Sequence, residues 1–533
     1  MGVQVKAEHA GRADYRLEPG RTRKIQAFFL QMQQPNRSEW RWVRSLAEPT
    51  GILAMFRFAP ILAGLTVLAA MLSAVLARDE SRLPAPRSQA VVESLAGTCT
   101  SRPDYLGTAS CTSSSCHHKS EHRRVVGSEF VTWNSEDPHH KAFDTLYSIR
   151  SERMVRNLYG PDAASASKTV ACLTCHATGE GQVSKASTSF SLVDAVSCES
   201  CHGPAQPWLA AHTRGGFKEL DAATKERDFG LWNTKDLARR AQVCSACHVG
   251  NPDVPLMQVN HDLIAAGHPR LNFEFSSALA KYPAHWRMAD EHARTPDHAW
   301  RSWQVGQIAV ATAAVRLTEA RARRSADGAP WPEFAEQDCF SCHKNLTVDS
   351  DRVAYRTPTT AGRAPWQTWY TGALDLADSE AYNTLASLKT HMGKPAPDAA
   401  TTAMRARKAL EGLTRRIAYA TDREPWTTAQ ELEASTRIAR FSSVNAEKLT
   451  WEQQAQQFLA LAALRDDLRR RQGQIEAGYE LPYLTVRDSL LGQFPNGYDS
   501  PRSDPNEMRA TRDRQLLLKR LQDGLDGIAR SQP

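Results

Sequence analysis

The apolar positions of this chain repeat at helical spacing in several places and rarely alternate at strand spacing. Side chains spaced three and four residues apart share one face of a helix. Weaker helical patterns cover residues 374–391, 400–420 and 429–441. The clearest stripes are formed by Trp300, Trp303, Gln307, Val310, Ala314 and Leu317, then by Trp451, Ala455, Phe458 and Ala462, and finally by Leu517, Leu521, Leu525 and Ile528. We therefore predict a mainly α protein with few strands.

A different apolar pattern fills residues 58–77, a run without charged residues. Its length lies between that of a membrane-spanning helix and that of a long signal sequence. One interpretation is a cleaved signal peptide that starts at Met55 and is cut after Ala77. The other is an uncleaved anchor with residues 1–57 in the cytoplasm, an orientation that the basic residues of this segment favour. We favour the cleaved signal, and both interpretations place the chain after Ala77 outside the cytoplasm.

Ten of the 11 cysteines fall in five short units with a shared layout. Four units read Cys-x-x-Cys-His, and the first has four residues between its cysteines and keeps the histidine. Cys-x-x-Cys-His is the attachment signature of haem c: the thiols bond the vinyl groups and the histidine binds iron from the proximal side. The predicted attachment cysteines are Cys111, Cys116, Cys172, Cys175, Cys198, Cys201, Cys244, Cys247, Cys339 and Cys342. The predicted proximal ligands are His117, His176, His202, His248 and His343.

The cysteines permit two alternatives to five covalently attached haems. Paired cysteines with nearby histidines also form structural zinc sites, but zinc does not require a histidine directly after each second cysteine. For the widened first unit, the alternative is a disulfide between Cys111 and Cys116. The remaining cysteine, Cys99, is given no function.

The cysteine units and the helical patterns divide the 533-residue chain into regions, and its length favours two or three domains. We predict an N-terminal extension with a signal peptide or anchor in residues 1–77 and a linker in residues 78–98. A five-haem cytochrome c domain then covers residues 99–348, and a helical C-terminal module covers residues 349–533. Trp300 and Trp303 are expected to pack their helix against porphyrin.

The net charge of +7 does not indicate a nucleic-acid-binding surface. Ten of the Lys and Arg residues and five of the Asp and Glu residues lie in residues 1–77, so the rest of the chain is nearly balanced. Haem propionates add further negative charge, which leaves the loaded protein neutral or mildly acidic.

Histidines outside the attachment units are candidates for the second axial ligand of each iron. A second histidine occupies the sixth coordination position of the iron and favours electron transfer. If that position is open, the iron can bind a small molecule and act on it. His212 follows the third unit closely and lies in a short predicted helix. His261 and His268 are seven residues apart, so two helical turns would place both on one face. His139 follows Pro138 at a plausible helix start.

Three of these segments resemble the cytochrome c-554/c-prime family of multihaem cytochromes, which includes the tetrahaem electron acceptor of hydroxylamine oxidoreductase. They are residues 196–204 (V-S-C-E-S-C-H-G-P) with the later His212, the segment W-x5-H that ends at His139, and residues 260–275 (N-H-D-L-I-A-A-G-H-P-R-L-N-F-E-F). The resemblance covers roughly residues 111–345. It implies a mostly α body, close-stacked haem pairs and mainly bis-histidine iron. The distal ligands it implies are His139, His212, His261 and His268, with His285 as a weaker fifth.

The leading hypothesis is a periplasmic multihaem cytochrome that transfers electrons between redox proteins, soluble after signal cleavage or tethered through residues 58–77. No catalytic residue and no nucleic-acid partner is predicted. The alternative is an oxidoreductase that acts on a small nitrogen or sulfur compound at a five-coordinate haem. Pentahaem nitrite reductases usually bind their catalytic haem through Cys-x-x-Cys-Lys, which this chain lacks. A third hypothesis, compatible with the first, is a docking role for the helical module. Five units, a widened first bridge and this module depart from the family pattern, so partner and pathway do not transfer.

Overall fold

The computed structural model describes residues 104–181, 190–338, 342–343, 364–367, 370–447, 449, 451–473, 477–492 and 511–531. The apolar run 58–77, the linker 78–98, Cys99 and Cys339 lie outside the described residues. The described residues contain no strand, and their β-bridges are isolated ones that join Gly250 to Gln258 and Gln337 to Trp366. The prediction of a mainly α protein is confirmed.

The helices of the region that carries the attachment units are short, apart from the last one. They are α1 (Glu129–Glu136), α2 (Ile149–Tyr159), α3 (Val170–His176), α4 (Cys198–His202), α5 (Ala222–Phe229), α6 (Leu237–His248), α7 (His261–Ala266), α8 (Phe275–Lys281), α9 (Met288–Arg294) and α10 (His298–Arg324).

Longer helices dominate the C-terminal part of the chain. They are α11 (Leu374–Ala377), α12 (Ser379–Thr384), α13 (Ala386–Met392), α14 (Ala399–Asp422), α15 (Thr428–Val444), α16 (Trp451–Gln472), α17 (Ala477–Gly492) and α18 (Thr511–Arg530). None of the described helices has the length and apolar character needed to cross a membrane.

The chain forms two compact units. Of the described residues, the smaller unit contains 104–106 and 202–233, and the larger unit contains the rest. The smaller unit has an apolar core of its own, in which Trp208, Phe217 and Phe229 are buried. The domain boundaries predicted from the sequence stay a prediction.

The long helix α10 is the centre of the larger unit. It packs against α14 and α16 on the C-terminal side and against α6 and α8 on the side of the attachment units. Its buried residues lie on all faces, as expected for a helix enclosed by others. Alanines along α10 allow these neighbours to approach closely.

The expected role of Trp300 and Trp303 is wrong. The two rings stack on each other with centroids 4.9 Å apart. They belong to a core shared with residues of the C-terminal helices such as Ile438, Phe458 and Leu464. With exposures of 1% and 0%, the rings have no surface left for a porphyrin. They anchor α10 to the helical region instead.

Side chains cap the helices that lead into the candidate ligands. Asp236 accepts a hydrogen bond from the Arg239 amide at the start of α6, and Asn260 accepts one from the Leu263 amide at the start of α7. Such caps satisfy amides that have no partner within the helix. The beginnings of these short helices are therefore well defined.

A buried carboxylate lies among the C-terminal helices. Glu431 of α15 is fully buried, and a guanidinium nitrogen of Arg471 lies 3.2 Å from its Oε1 atom. Burial, reinforced by the negative charge of Asp467, raises the pKa of Glu431 to about 8. At neutral pH the folded protein therefore holds this side chain mostly protonated.

We expect Gly306→Ala to destabilise the junction of α10 and α8. A Cβ at residue 306 would lie 2.6 Å from the Cβ of Phe275, which cannot rotate away. Overpacking of this kind costs about 1–3 kcal/mol of unfolding free energy, measurable by chemical denaturation. The matched control is Gly393→Ala, whose added Cβ has no neighbour nearer than 3.4 Å. Equal stability of the two variants would contradict this packing.

We expect Glu431→Gln to remove a pH dependence of stability. The pKa of Glu431 is higher in the folded protein than its ordinary value of 4.5, so protonated Glu431 favours the folded state. Its contribution to the free energy of unfolding is complete below pH 4.5 and is lost as pH rises through 8. The glutamine variant should match the natural protein at pH 5 and exceed it above pH 8 by on the order of a few kcal/mol. Thermal unfolding across this range measures the difference, and parallel pH profiles would refute it.

Candidate functional site

Three attachment units lie on helices that end at their histidine. The second unit ends α3, the third ends α4, and the fourth ends α6. Residues three apart on a helix lie on neighbouring positions of one face, so the two thiols of each unit face the same way. The histidine is the last helical residue in each case, which is the layout that haem c attachment needs.

The first and fifth units differ from the other three. Cys111 follows the short 3-10 turn Thr108–Ser110 and is buried, whereas Cys116 lies in a turn and is exposed. In the fifth unit, Cys342 and His343 are exposed, and Cys339 lies outside the described residues. The first and fifth units therefore each present a cysteine to solvent.

Thiols from different attachment units lie next to each other. The side chain of Cys111 shares a hydrogen bond with that of Cys198, and this bond lowers the pKa of Cys111. A second thiol–thiol hydrogen bond joins Cys175 to Cys247. The first unit thus touches the third, and the second touches the fourth.

The third and fourth units are also close to each other. Burial raises the pKa of Cys201 to about 12, and the nearby Cys244 contributes to the increase. Burial likewise raises the pKa of Cys244 to about 11. These thiols are neutral at physiological pH.

The described cysteines and histidines do not support a disulfide or a zinc site. No disulfide joins the described cysteines, Cys111 and Cys116 included. In this part of the chain, no group of three or more His, Cys, Asp or Glu side chains has the arrangement of a metal site. A structural zinc needs four converging ligands.

Two pairs of histidine rings are spaced as axial ligands of one iron. An imidazole nitrogen binds a metal at about 2 Å, so two imidazoles on opposite sides have centroids roughly 6–6.5 Å apart. The His139 and His248 centroids are 6.0 Å apart, and those of His261 and His343 are 6.4 Å apart. Each pair joins a predicted distal histidine to a predicted proximal one.

Two further predicted distal histidines each have a predicted proximal histidine among their electrostatic neighbours. Burial lowers the pKa of His268, and His176 lowers it further. Burial also lowers the pKa of His285, and His117 is among the neighbours that add to this effect. His268 and His285 therefore each lie near an attachment histidine. His212 and His202 both belong to the smaller compact unit.

The hydrogen bonds of these histidines leave Nε2 as the metal-binding nitrogen. A carbonyl oxygen only accepts, so a ring nitrogen bonded to it carries the proton, and the other nitrogen has the lone pair. Nδ1 of His176 donates to the Ala142 carbonyl at 2.8 Å, and Nδ1 of His268 donates to the Pro269 carbonyl at 2.7 Å. Nδ1 of His212 donates to the Leu209 carbonyl at 2.5 Å. Metal-binding histidines are usually held in this way.

His248 lies against two aromatic rings, those of His139 and Phe273. Desolvation by neighbouring protein atoms, and next the nearby His139, lower its pKa to about 4, which favours the neutral ring that binds iron. Phe273 stacks on His248 with centroids 4.9 Å apart and an angle of 22°. This aromatic contact fixes the plane of the imidazole.

The donor set of the attachment units and the spacing of the histidine ring pairs fit haem c.

Sequence reasoning missed the residues that hold the candidate ligands. Phe273, Asp137 and Tyr282 contact candidate ligand histidines or their partners. Phe273 and Asp137 lie in segments that resemble the family, but no role was predicted for any of the three. For Asp137 there was a signal, because it precedes Pro138 and His139 directly. For Tyr282, which lies far from His139 along the chain, there was none.

Comparison with known proteins supports a c-type cytochrome. Residues 110–203 match the family model described as cytochrome c554 and c-prime, and this segment contains the first three attachment units. The match confirms the resemblance over these residues, and it supports haem binding with an electron-transfer or redox role. No curated protein and no solved structure matches the chain.

Proposed function

We propose that this protein is a five-haem c-type cytochrome that carries electrons between redox proteins through irons closed by two histidines each. The observation that carries the proposal is the spacing of the His139–His248 and His261–His343 rings, 6.0 Å and 6.4 Å. An iron closed on both sides exchanges electrons without binding a substrate. This favours an electron carrier over an enzyme.

The geometry supports one distal histidine for each proximal histidine. The ring pairs and electrostatic neighbours described above provide four assignments, and the shared compact unit of His202 and His212 supports the fifth. The proposed pairs are His117 with His285, His176 with His268, His202 with His212, His248 with His139, and His343 with His261.

The contacts between attachment units support a continuous order of haems along the protein. Thiol contacts join the first unit to the third and the second to the fourth, and Cys201 lies near Cys244. His261, the proposed ligand for the fifth unit, begins the short helix α7, and His268, the proposed ligand for the second unit, lies two residues after its end. The order is therefore first, third, fourth, second and fifth. Cys116 and Cys342, the exposed cysteines, belong to its two ends.

Location and partners follow from the same chemistry. Haem c is attached outside the cytoplasm, and the apolar run 58–77 would direct the chain there as a signal or as an anchor. We propose a periplasmic protein whose partners are redox proteins that dock at the exposed ends. Membrane association through residues 58–77 applies if the run is not cleaved.

The purified protein should contain five haems per chain, all of them low-spin. Pyridine haemochrome analysis with intact mass counts the haems, and EPR reports the spin state. Nitrite, hydroxylamine and CO should leave the spectra unchanged because closed irons have no open position. A high-spin haem that responds to one of these molecules would favour the alternative, an oxidoreductase with a five-coordinate haem. A colourless zinc protein from a host that matures haem c would contradict the whole proposal.

His139→Ala should convert one of the five haems from low-spin to high-spin. The variant leaves the fourth attachment unit intact, so the haem count should stay at five while one iron loses its second imidazole. EPR and CO binding measure the change. The matched control is His122→Ala, which removes an exposed histidine of the same region and should leave all five haems low-spin. Unchanged spectra for His139→Ala would remove His139 from the ligand set.

A further inference from the structure

Asp137 is a buried carboxylate that holds His139 in place. It is 2% exposed, and its Oδ1 atom accepts hydrogen bonds from Nδ1 of His139 at 2.8 Å and from the His139 backbone amide at 3.0 Å. Its Oδ2 atom accepts a hydrogen bond from the hydroxyl of Tyr282 at 2.6 Å. Asp137 is thus the N-cap of the turn Pro138–Lys141 and the partner of a proposed ligand.

We propose that Asp137 and Tyr282 together set the electron-donating strength of the His139 imidazole, and through it the reduction potential of the haem held by His248. The proposal rests on the proposed function, since it requires His139 to be an axial ligand. Both residues act through His139 and are positioning residues.

The physical basis is the charge of the hydrogen-bond acceptor. A carboxylate attracts the Nδ1 proton more strongly than a neutral carbonyl does, so the imidazole gains anionic character and becomes a stronger donor through Nε2. A stronger donor stabilises the ferric iron over the ferrous iron and lowers the potential. The Tyr282 hydroxyl takes part of the carboxylate charge and moderates this effect.

Three hydrogen bonds converge on the Asp137 carboxylate, two from His139 and one from Tyr282. This is the environment of a carboxylate that accepts on both oxygens. A buried charge interacts more strongly with its neighbours than one screened by water. The carboxylate therefore acts on His139 with little screening by water, and Tyr282 is the neighbour that moderates it.

The other ligand histidines provide a contrast within the same chain. Nδ1 of His176, His212 and His268 donates to neutral backbone carbonyls. Nδ1 of His117 lies 3.2 Å from a carboxylate oxygen of Glu129, but the His117 side chain is 47% exposed and this pair is screened by water. Among these histidines, His139 is bonded to a carboxylate that is nearly fully buried.

Tyr282 is held in position independently of Asp137. It follows α8, its ring stacks on Trp286 with centroids 5.7 Å apart, and its amide bonds the Ala278 carbonyl. Its ring also lies 6.0 Å from that of His139. Loss of the hydroxyl should therefore leave the ring in place.

The test compares two variants that change the bond to His139 in opposite directions. Asp137→Asn keeps an acceptor for Nδ1 but removes the negative charge. The variant should shift the reduction equilibrium of one haem tenfold toward the ferrous form, which raises its reduction potential by about 59 mV. Tyr282→Phe removes the hydroxyl that shares the charge, and should lower the potential of the same haem. Potentiometric titration followed by EPR measures both, with the low-spin g-values of one haem shifting alongside.

The matched control is Glu136→Gln, which neutralises the adjacent carboxylate. Glu136 is bonded to Arg124 and does not contact His139, so its variant should leave all five potentials unchanged. An equal rise for Glu136→Gln and Asp137→Asn would show a general charge effect and overturn the proposal. Unchanged potentials and g-values for Asp137→Asn would also overturn it.

Two results distinguish a wrong ligand assignment for His139 from a wrong tuning role for Asp137 and Tyr282. If His139→Ala leaves every haem low-spin, the ligand assignment itself is wrong. If His139→Ala opens one haem but Asp137→Asn and Tyr282→Phe move no potential, only the tuning role is wrong. Should Asp137→Asn fail to mature, Tyr282→Phe decides alone: a lowered potential supports the proposal, and a raised or unchanged one overturns it.

Discussion

The position of a covalently held haem leaves little freedom for its second ligand. Two thioether bonds and a proximal nitrogen, all from one short segment, define the plane of the ring and the side from which the iron is bound. The remaining ligand has to come from the opposite side, and no residue of the same unit can reach it. In the proposed pairs, His248 of α6 therefore faces His139, which precedes it by four helices. The fold has to hold distant segments at a fixed separation.

The long helix α10 holds these segments. α6, which ends at His248, packs along it, and α8 packs against it where Gly306 leaves room for Phe275. The residue after α8 is Tyr282, which bonds the carboxylate that fixes His139. One helix thus positions the proposed proximal ligand His248 directly, and the proposed distal ligand His139 through α8, Tyr282 and Asp137. On the other side of α10, Trp300 and Trp303 pack against the C-terminal helices. These helices therefore stabilise α10 although they contain no proposed ligand.

The sequence predicted what depends on neighbours along the chain. The attachment units, α10 (predicted near residues 300–317, observed as His298–Arg324) and α15 (predicted near residues 429–441, observed as Thr428–Val444) follow from local spacing. The environment of Trp300 did not, because a stripe at helical spacing indicates one apolar face and α10 is enclosed on all sides. The pairing of histidines and the contacts between thiols were equally out of reach, since they join residues far apart in sequence. Asp137 was within reach, because it stands two residues before a predicted ligand.

The family match and the ligand pairs do not divide the chain at the same place. Residues 110–203 match the cytochrome c554 and c-prime model, but His139 in this segment is the proposed partner of His248 beyond it. His176 and His117, also in the segment, have their proposed partners His268 and His285 outside it. On the proposed pairs, the matched segment therefore does not supply both ligands of these irons. The fourth unit and the loop segments before α10 would have to fold with it.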